Sequence, residues 1–136
     1  MLIIDGYNII NQWQELDKLQ KRSLSLAREH LIRLIQNFCD FSGEPAVIVF
    51  DGMGLPEDNF IDNDVTGRLR VIFSRRSECA DGIICRLVKQ HNNKQEIKVA
   101  SNDRALCNFV FGLGAIDITA ARLKDLLNNI NNYYEN

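Results

Sequence analysis

The chain begins Met1-Leu2-Ile3-Ile4-Asp5-Gly6-Tyr7-Asn8, a short apolar run that ends on a carboxylate and a glycine. Leu2 to Ile4 is too short for a buried helix, but its branched side chains suit a strand covered on both faces, as strands are in a parallel sheet. Runs of the same kind recur at Ala46 to Phe50, Arg70 to Phe73, Ile97 to Ala100 and, more weakly, Ala115 to Ile118. Between them lie segments with the three-and-four spacing of one helical face. The first carries Leu24, Ala27, Leu31, Leu34, Ile35 and Phe38 and ends at Gly43; the next carries Ala80, Ile83, Ile84, Leu87 and Val88 and breaks at His91-Asn92-Asn93. Ala105 to Phe111 forms a short helix stopped by Gly112 and Gly114, and Thr119 caps a last helix with Ala120, Leu123, Leu126, Leu127 and Ile130. Alternating strands and helices predict an α/β fold, with a central, mainly parallel five-stranded sheet and helices on both faces. Asp51 to Gly67, with Gly52, Gly54 and Pro56, is expected to be a long mobile loop. The Asn-rich turn from Asn128 to Asn136 looks poorly committed to structure.

The bulk properties bound the function. A chain of 136 residues fits a single domain, 1–136, and such a domain buries roughly two-thirds of its unfolded surface. No apolar run reaches membrane-span length, and Met1 to Ile4 is too short for a secretory leader. Cys39, Cys79, Cys85 and Cys107 form no Cys-x-x-Cys pair, so a reduced, cytoplasmic protein without a zinc knuckle is expected. The net charge of −2 speaks against a protein that coats nucleic acid, because such binding relies on phosphate neutralisation. An enzyme with a narrow footprint on nucleic acid remains compatible with it.

In an open parallel sheet the binding crevice lies beyond the carboxyl ends of the strands, so the residues that follow each strand matter most. Here they are acidic. Asp5 follows strand one, Asp51 follows strand two, Asp103 lies just after strand four, and Glu78 and Asp81 stand where the helix after strand three begins. Singly, each is as well explained as a turn former, a helix cap or a dipole partner. Jointly they would repel one another, and a divalent cation is the natural means of keeping them ionised. Hard oxygens without a convergent His or Cys set favour Mg²⁺ or Mn²⁺ over zinc. Arg68, Arg70, Arg75 and Arg76 cluster around strand three, and Arg104 follows Asp103, where they can hold an RNA backbone or simply line a solvated face. Asn8 offers an amide to a water or a phosphate, and Tyr7 either stacks a base or packs under the rim.

The residues Asp5-Gly6-Tyr7-Asn8-Ile9-Ile10 with Trp13 close behind, Val49-Phe50-Asp51-Gly52, Glu78-Cys79-Ala80-Asp81, Val99-Ala100-Ser101-Asn102-Asp103 and Val110-Phe111-Gly112-Leu113-Gly114-Ala115 run nearly the length of the chain. In order and spacing they resemble the NYN branch of PIN-like nucleases, and more narrowly its bacterial YacP-like group of ribosome-associated endoribonucleases. The resemblance implies a three-layer PIN-like fold with strand order 3-2-1-4-5 and a metal-dependent endoribonuclease acting on RNA, mRNA on the ribosome being the implied substrate. It also implies Asp5 and Asp81 as principal metal carriers, Asp103 as a further acid and Asn8 as a positioning group. Cys79 stands where the group more usually has a small hydroxyl residue, and Asn102 where a Ser is common.

Three other readings meet residues that do not fit. A receiver module wants paired acids after strand one, where Asp5 is followed by Gly6. A haloacid-dehalogenase phosphatase wants an Asp at the place Tyr7 fills. A dinucleotide-binding domain wants a Gly-rich turn there, so no nucleotide cofactor is expected. The alternative from another class is a catalytically idle PIN-like module that binds RNA or the ribosome.

Overall fold

A computed structural model describes residues 1–52 and 55–135, with side chains described as far as residue 130. Its elements run β1 (Leu2–Asp5), α1 (Gly6–Gln12), α2 (Gln14–Arg22), α3 (Leu24–Ser42), β2 (Ala46–Phe50), β3 (Ile61–Asp64), β4 (Leu69–Phe73), α4 (Ala80–His91), β5 (Lys98–Ala100), α5 (Arg104–Gly112), β6 (Ile116–Ile118) and α6 (Ala120–Glu135). The strands form one sheet in the order β3-β4-β2-β1-β5-β6. All pairs are parallel except β3 with β4.

Leu2, Ile4, Ile48 and Phe50 pack into one layer with side chains of α1, α2, α3 and α6, while Ile3, Val47, Val49 and Val99 pack into the other with α4 and α5. Each strand thus feeds two cores by simple alternation, which is why strands β1 and β2 read as unbroken apolar runs. The helix ends follow local chemistry. Ser23 caps α3 by accepting a hydrogen bond from the Leu26 amide, and Gly43 closes it in the left-handed region at φ 73°. Thr119 caps α6 through the Arg122 amide. All four cysteines are free thiols, and no helix among the described residues is long and apolar enough to cross a membrane.

The five expected strands keep the order 3-2-1-4-5, here β4-β2-β1-β5-β6, and a sixth is added at the edge. That sixth strand, β3, corrects the expectation of a featureless loop from Asp51 to Gly67. Ile61-Asp62-Asn63-Asp64 carries almost no apolar signal, because an exposed edge strand is held by backbone pairing and buries little. Its side chains are tied by Arg70, which reaches across to the Asp62 carboxylate at 2.6 Å, and by Asp64, whose Oδ1 accepts the Gly67 amide at 2.6 Å. Two helices, α1 and α2, also occupy residues 6–22, where none is expected, although Ile9, Ile10, Trp13 and Leu16 already have helical spacing and are all buried. The Asn-rich end is helical as far as Glu135; Asn136 lies outside the described residues, as does Gly54.

Two glycines occupy opposite situations. At Gly6 a Cβ would collide with the ring of Phe50, which is fully buried and packed against Tyr7 and Phe73 at 5.0 and 5.2 Å between centroids. At Gly82, in the first turn of α4, the nearest atom to such a Cβ is Cys79 Sγ at 3.9 Å. Gly6→Ala should therefore lower stability by about 1–3 kcal/mol through overpacking, despite alanine's helix preference. Gly82→Ala should raise stability by up to about 1 kcal/mol. Urea unfolding midpoints of the two variants test both signs.

Candidate metal centre at the carboxyl edge of the sheet

The parallel register of β1 and β5 sets Ile4 beside Ala100. One residue further, both chains turn a polar side chain toward the α4 and α5 layer, because Asp5 alternates with Ile4 and Ser101 with Ala100. The Ser101 hydroxyl donates to Asp5 Oδ2 at 2.8 Å and accepts the Asp103 amide at 3.0 Å. Ser101 itself is immobilised, with its amide on the Ile118 carbonyl and its own carbonyl taking the Cys107 thiol. Asp5 is 8% exposed and Ser101 fully buried, so this hydrogen bond is made away from water.

Asp81 lies in the first turn of α4, and Asp103 is the residue that caps α5, its Oδ1 accepting the Leu106 amide at 3.2 Å. The three carboxylates feel one another. Burial pushes the Asp5 carboxyl up to about 6; the Ser101 hydrogen bond opposes this, and the charges of Asp81 and Asp103 add to it. Asp81 is likewise raised, by burial and then by Asp103. Among the described residues no lysine or arginine offsets the rise at Asp5.

No three His, Cys, Asp or Glu side chains among the described residues converge into a ready-made cage. The charges of Asp81 and Asp103 nevertheless reach Asp5, and that of Asp103 reaches Asp81. A hard ion such as Mg²⁺ needs no closed cage, because it keeps several waters and uses only one or two carboxylates directly. The donor set fits a hydrated hard cation: oxygen ligands, an excess of negative charge and a buried acid that repels its neighbours.

The other expected site residues are more widely spread. Glu78 precedes α4, which starts at Ala80, so it does not share a helical face with Asp81; its carboxylate lies 3.9 Å from Arg86. Asp51 is half-buried one step past β2, at the same rim. The Asn8 side-chain oxygen accepts the Asn102 amide at 2.8 Å, and the Asn102 side chain in turn accepts the Ala120 amide at 2.8 Å. Asn8 is thus committed to fixing the loop that carries Asp103. Tyr7 packs on Phe50 and receives Arg28 on its hydroxyl at 3.2 Å, so it lies under the rim.

The arginines divide by place. Arg68 is at the amino end of β4, its carbonyl accepting the Ala46 amide, and so lies at the opposite end of the sheet from the acids. Arg70 is held by Asp62, and Arg76 binds the Leu55 and Pro56 carbonyls of the long connection. Arg75 is exposed beyond the end of β4, and Arg104 opens α5 at 4.0 Å from Asp117. Ser101 has a part in the site that the acidic pattern does not single out, although its place one residue past a strand and two before Asp103 is a visible signal. Cys79 sits at the N-cap of α4 with no side-chain bond to the helix, a place where a hydroxyl would satisfy a free amide.

An ionised Asp5 weakens the metal-free fold. Its carboxyl ordinarily titrates near 3.8 and is pushed up to about 6 in the folded chain, so protonation favours folding. Stability from this group is fully present below about pH 4 and is lost as pH rises through 6, for a cost of about 3 kcal/mol at neutrality. Asp5→Asn keeps the acceptor for Ser101 and removes the charge. It should raise the melting temperature of the metal-free protein at pH 7.5, with the gain vanishing near pH 4; a variant no more stable than the parent at pH 7.5 would refute this.

The comparisons with known proteins agree with this architecture. The family described as the YacP-like NYN domain matches residues 2–136. The Bacillus subtilis (strain 168) protein described as uncharacterized protein YacP is 32% identical over 127 residues, covering 90% of this chain and 72% of its own length. The crystal structure of Rae1 (YacP) from Bacillus subtilis superposes with a TM-score of 0.82 at 30% identity, covering 99% of this chain and 77% of that one. A single-substitution mutant of the same protein gives a TM-score of 0.84 at 30% identity, with 98% and 77% covered. The chain therefore belongs to the YacP-like NYN domain family, and its six-stranded sheet and flanking helices have that family's PIN-like arrangement.

Proposed function

We propose that this protein is a metal-dependent endoribonuclease that hydrolyses phosphodiester bonds of RNA at the carboxyl edge of its sheet. The observation that carries the reading is Asp5, a buried carboxylate made still harder to ionise by two neighbouring acids. Such a group destabilises the fold, and carboxylates perturbed in this way cluster at functional sites. Asp5, Asp81 and Asp103 would hold Mg²⁺ or Mn²⁺, with Asp51 and Glu78 further out and acting through water. Held there, such an ion would supply a water of lowered pKa and positive charge to offset that of the phosphate.

The chain's own residues supply position and orientation. Ser101 fixes the rotamer of Asp5, and the Asp103 cap leaves its second oxygen for the site. Asn8 and Asn102 hold the connecting loop against α1 and α6. Arg75 and Arg104, at the rim, suit phosphates on either side of the cut. In the reaction the water oxygen bonds to phosphorus and gives up a proton, one bridging phosphorus–oxygen bond breaks, and the departing oxygen takes a proton up. We extend the proposal to mRNA presented by a ribosome on family resemblance alone.

Incubating labelled single-stranded RNA with the protein and Mg²⁺ or Mn²⁺ should yield fragments, and chelation should stop their formation. Asp81→Asn should abolish cleavage without lowering the melting temperature. Ser101→Ala, which frees Asp5 from its hydrogen bond, should slow it by about 10- to 100-fold, the usual loss when the partner of a metal ligand is removed. RNA that is bound but never cut would overturn the nuclease reading in favour of an idle RNA-binding module.

A further inference from the structure

Between α4 and α5 runs a groove of about 610 Å³, and Asp81 is one of the residues that line it. Its walls carry Gly82, Cys85, Arg86 and Lys89 from α4 and Phe109 from α5. Phe109 is 53% exposed, so one face of its ring is open to a ligand lying in the groove. The Lys89 ammonium stands 5.8 Å from the centre of that ring, which brings a cation and an aromatic face together. Arg86 adds a second cation, 3.9 Å from Glu78 in a pair that is half-exposed on both sides and so weakly held.

Gly82 supplies the independent observation. A glycine inside a helix costs stability, and this one has an ordinary negative φ and open space where a side chain would be. The fold gives no reason for it. A close approach by a ligand beside Asp81 does.

Resting on the nuclease reading above, we propose that this groove is the track for the single-stranded RNA flanking the scissile phosphate. The strand passes over Gly82 next to Asp81, stacks a base on Phe109 and sets phosphates against Arg86 and Lys89. From Asp81 to Lys89 the helix rises about 12 Å, enough for a short run of nucleotides. Single strands fit because their bases are free to stack on a side chain, whereas those of a duplex are already stacked within it.

The test uses the full chain carrying Asp5→Asn, so that binding is read without cleavage, and a fluorescent unstructured 12-nucleotide RNA followed by anisotropy. Phe109→Ala should weaken binding by about 5- to 150-fold, the range for losing one stacked base. Lys89→Gln should weaken it and flatten the salt dependence by about 0.7 in log–log slope. Gly82→Leu should weaken it while Gly82→Ala folds at least as stably as the parent, and Arg33→Gln, on α3 across the sheet, should change nothing. If Phe109→Ala and Gly82→Leu both bind like the parent, or if the parent does not bind the RNA at 50 mM salt, the track is wrong and the face is left for a protein partner. Cleavage assays with Asp5 restored separate the two readings. Cleavage unaffected by the groove variants sinks the track alone, while groove-dependent binding without cleavage sinks the nuclease alone.

Discussion

The site depends on one buried hydrogen bond, from the Ser101 hydroxyl to Asp5 at 2.8 Å. It joins the ends of β1 and β5, whose register is fixed by the apolar faces they share with both helical layers. A one-residue slip of either strand would turn its polar end to the opposite layer and dissolve the pair. The same hydroxyl receives the Asp103 amide, so the position of the second acid follows from the first. Core packing thus sets the site's geometry through strand register, and the core residue Leu106 also meets Asp103 directly through its amide.

A second line of polar contacts locks the loop after β5 from outside. Asn8 on α1 takes the Asn102 amide, Asn102 takes the Ala120 amide at the start of α6, and the Trp13 indole donates to the Ala120 carbonyl at 2.9 Å. Three elements distant in the chain meet at these bonds, all on the side of the sheet away from α4. The loop is therefore held on the α1 and α6 side, while its acid is presented to the α4 and α5 side. This division explains why Asn8 and Trp13 stand close behind Asp5 in sequence without themselves adding charge to the centre.

Charge is distributed to match. The acids concentrate at the carboxyl edge, where burial and mutual repulsion hold Asp5 and Asp81 above the ordinary carboxylate range. Of the basic residues near them, Arg76 is spent on tying down the long connection and Arg70 on anchoring the edge strand. A net charge of −2 is compatible with nucleic-acid binding when the cations that matter are local and few. In the track proposed above, Arg86 and Lys89 on α4 would be such cations, as would Arg104 on α5 at the proposed cleavage site.

Much of the architecture was legible in the sequence, for a physical reason. Strands β1 and β2, covered on both faces, must be continuous apolar runs, and α3 and α4 must carry apolar stripes, so Leu2–Ile4, Ala46–Phe50, Leu31 and Ile84 announce their elements directly. The edge strand β3 does not, because Ile61-Asp62-Asn63-Asp64 is held by backbone bonds that any sequence can make. α1 was obscured by Gly6, which reads as a turn but is there to admit the Phe50 ring. The presence of acids after the strands was likewise written in the chain. Which of them interact was not: Asp81 and Asp103 are placed where their charges reach Asp5, and Glu78 is set beside Arg86, by register and by where α4 begins. Those are properties of strands and helices packed against one another, and a linear sequence holds them only through the packing it produces.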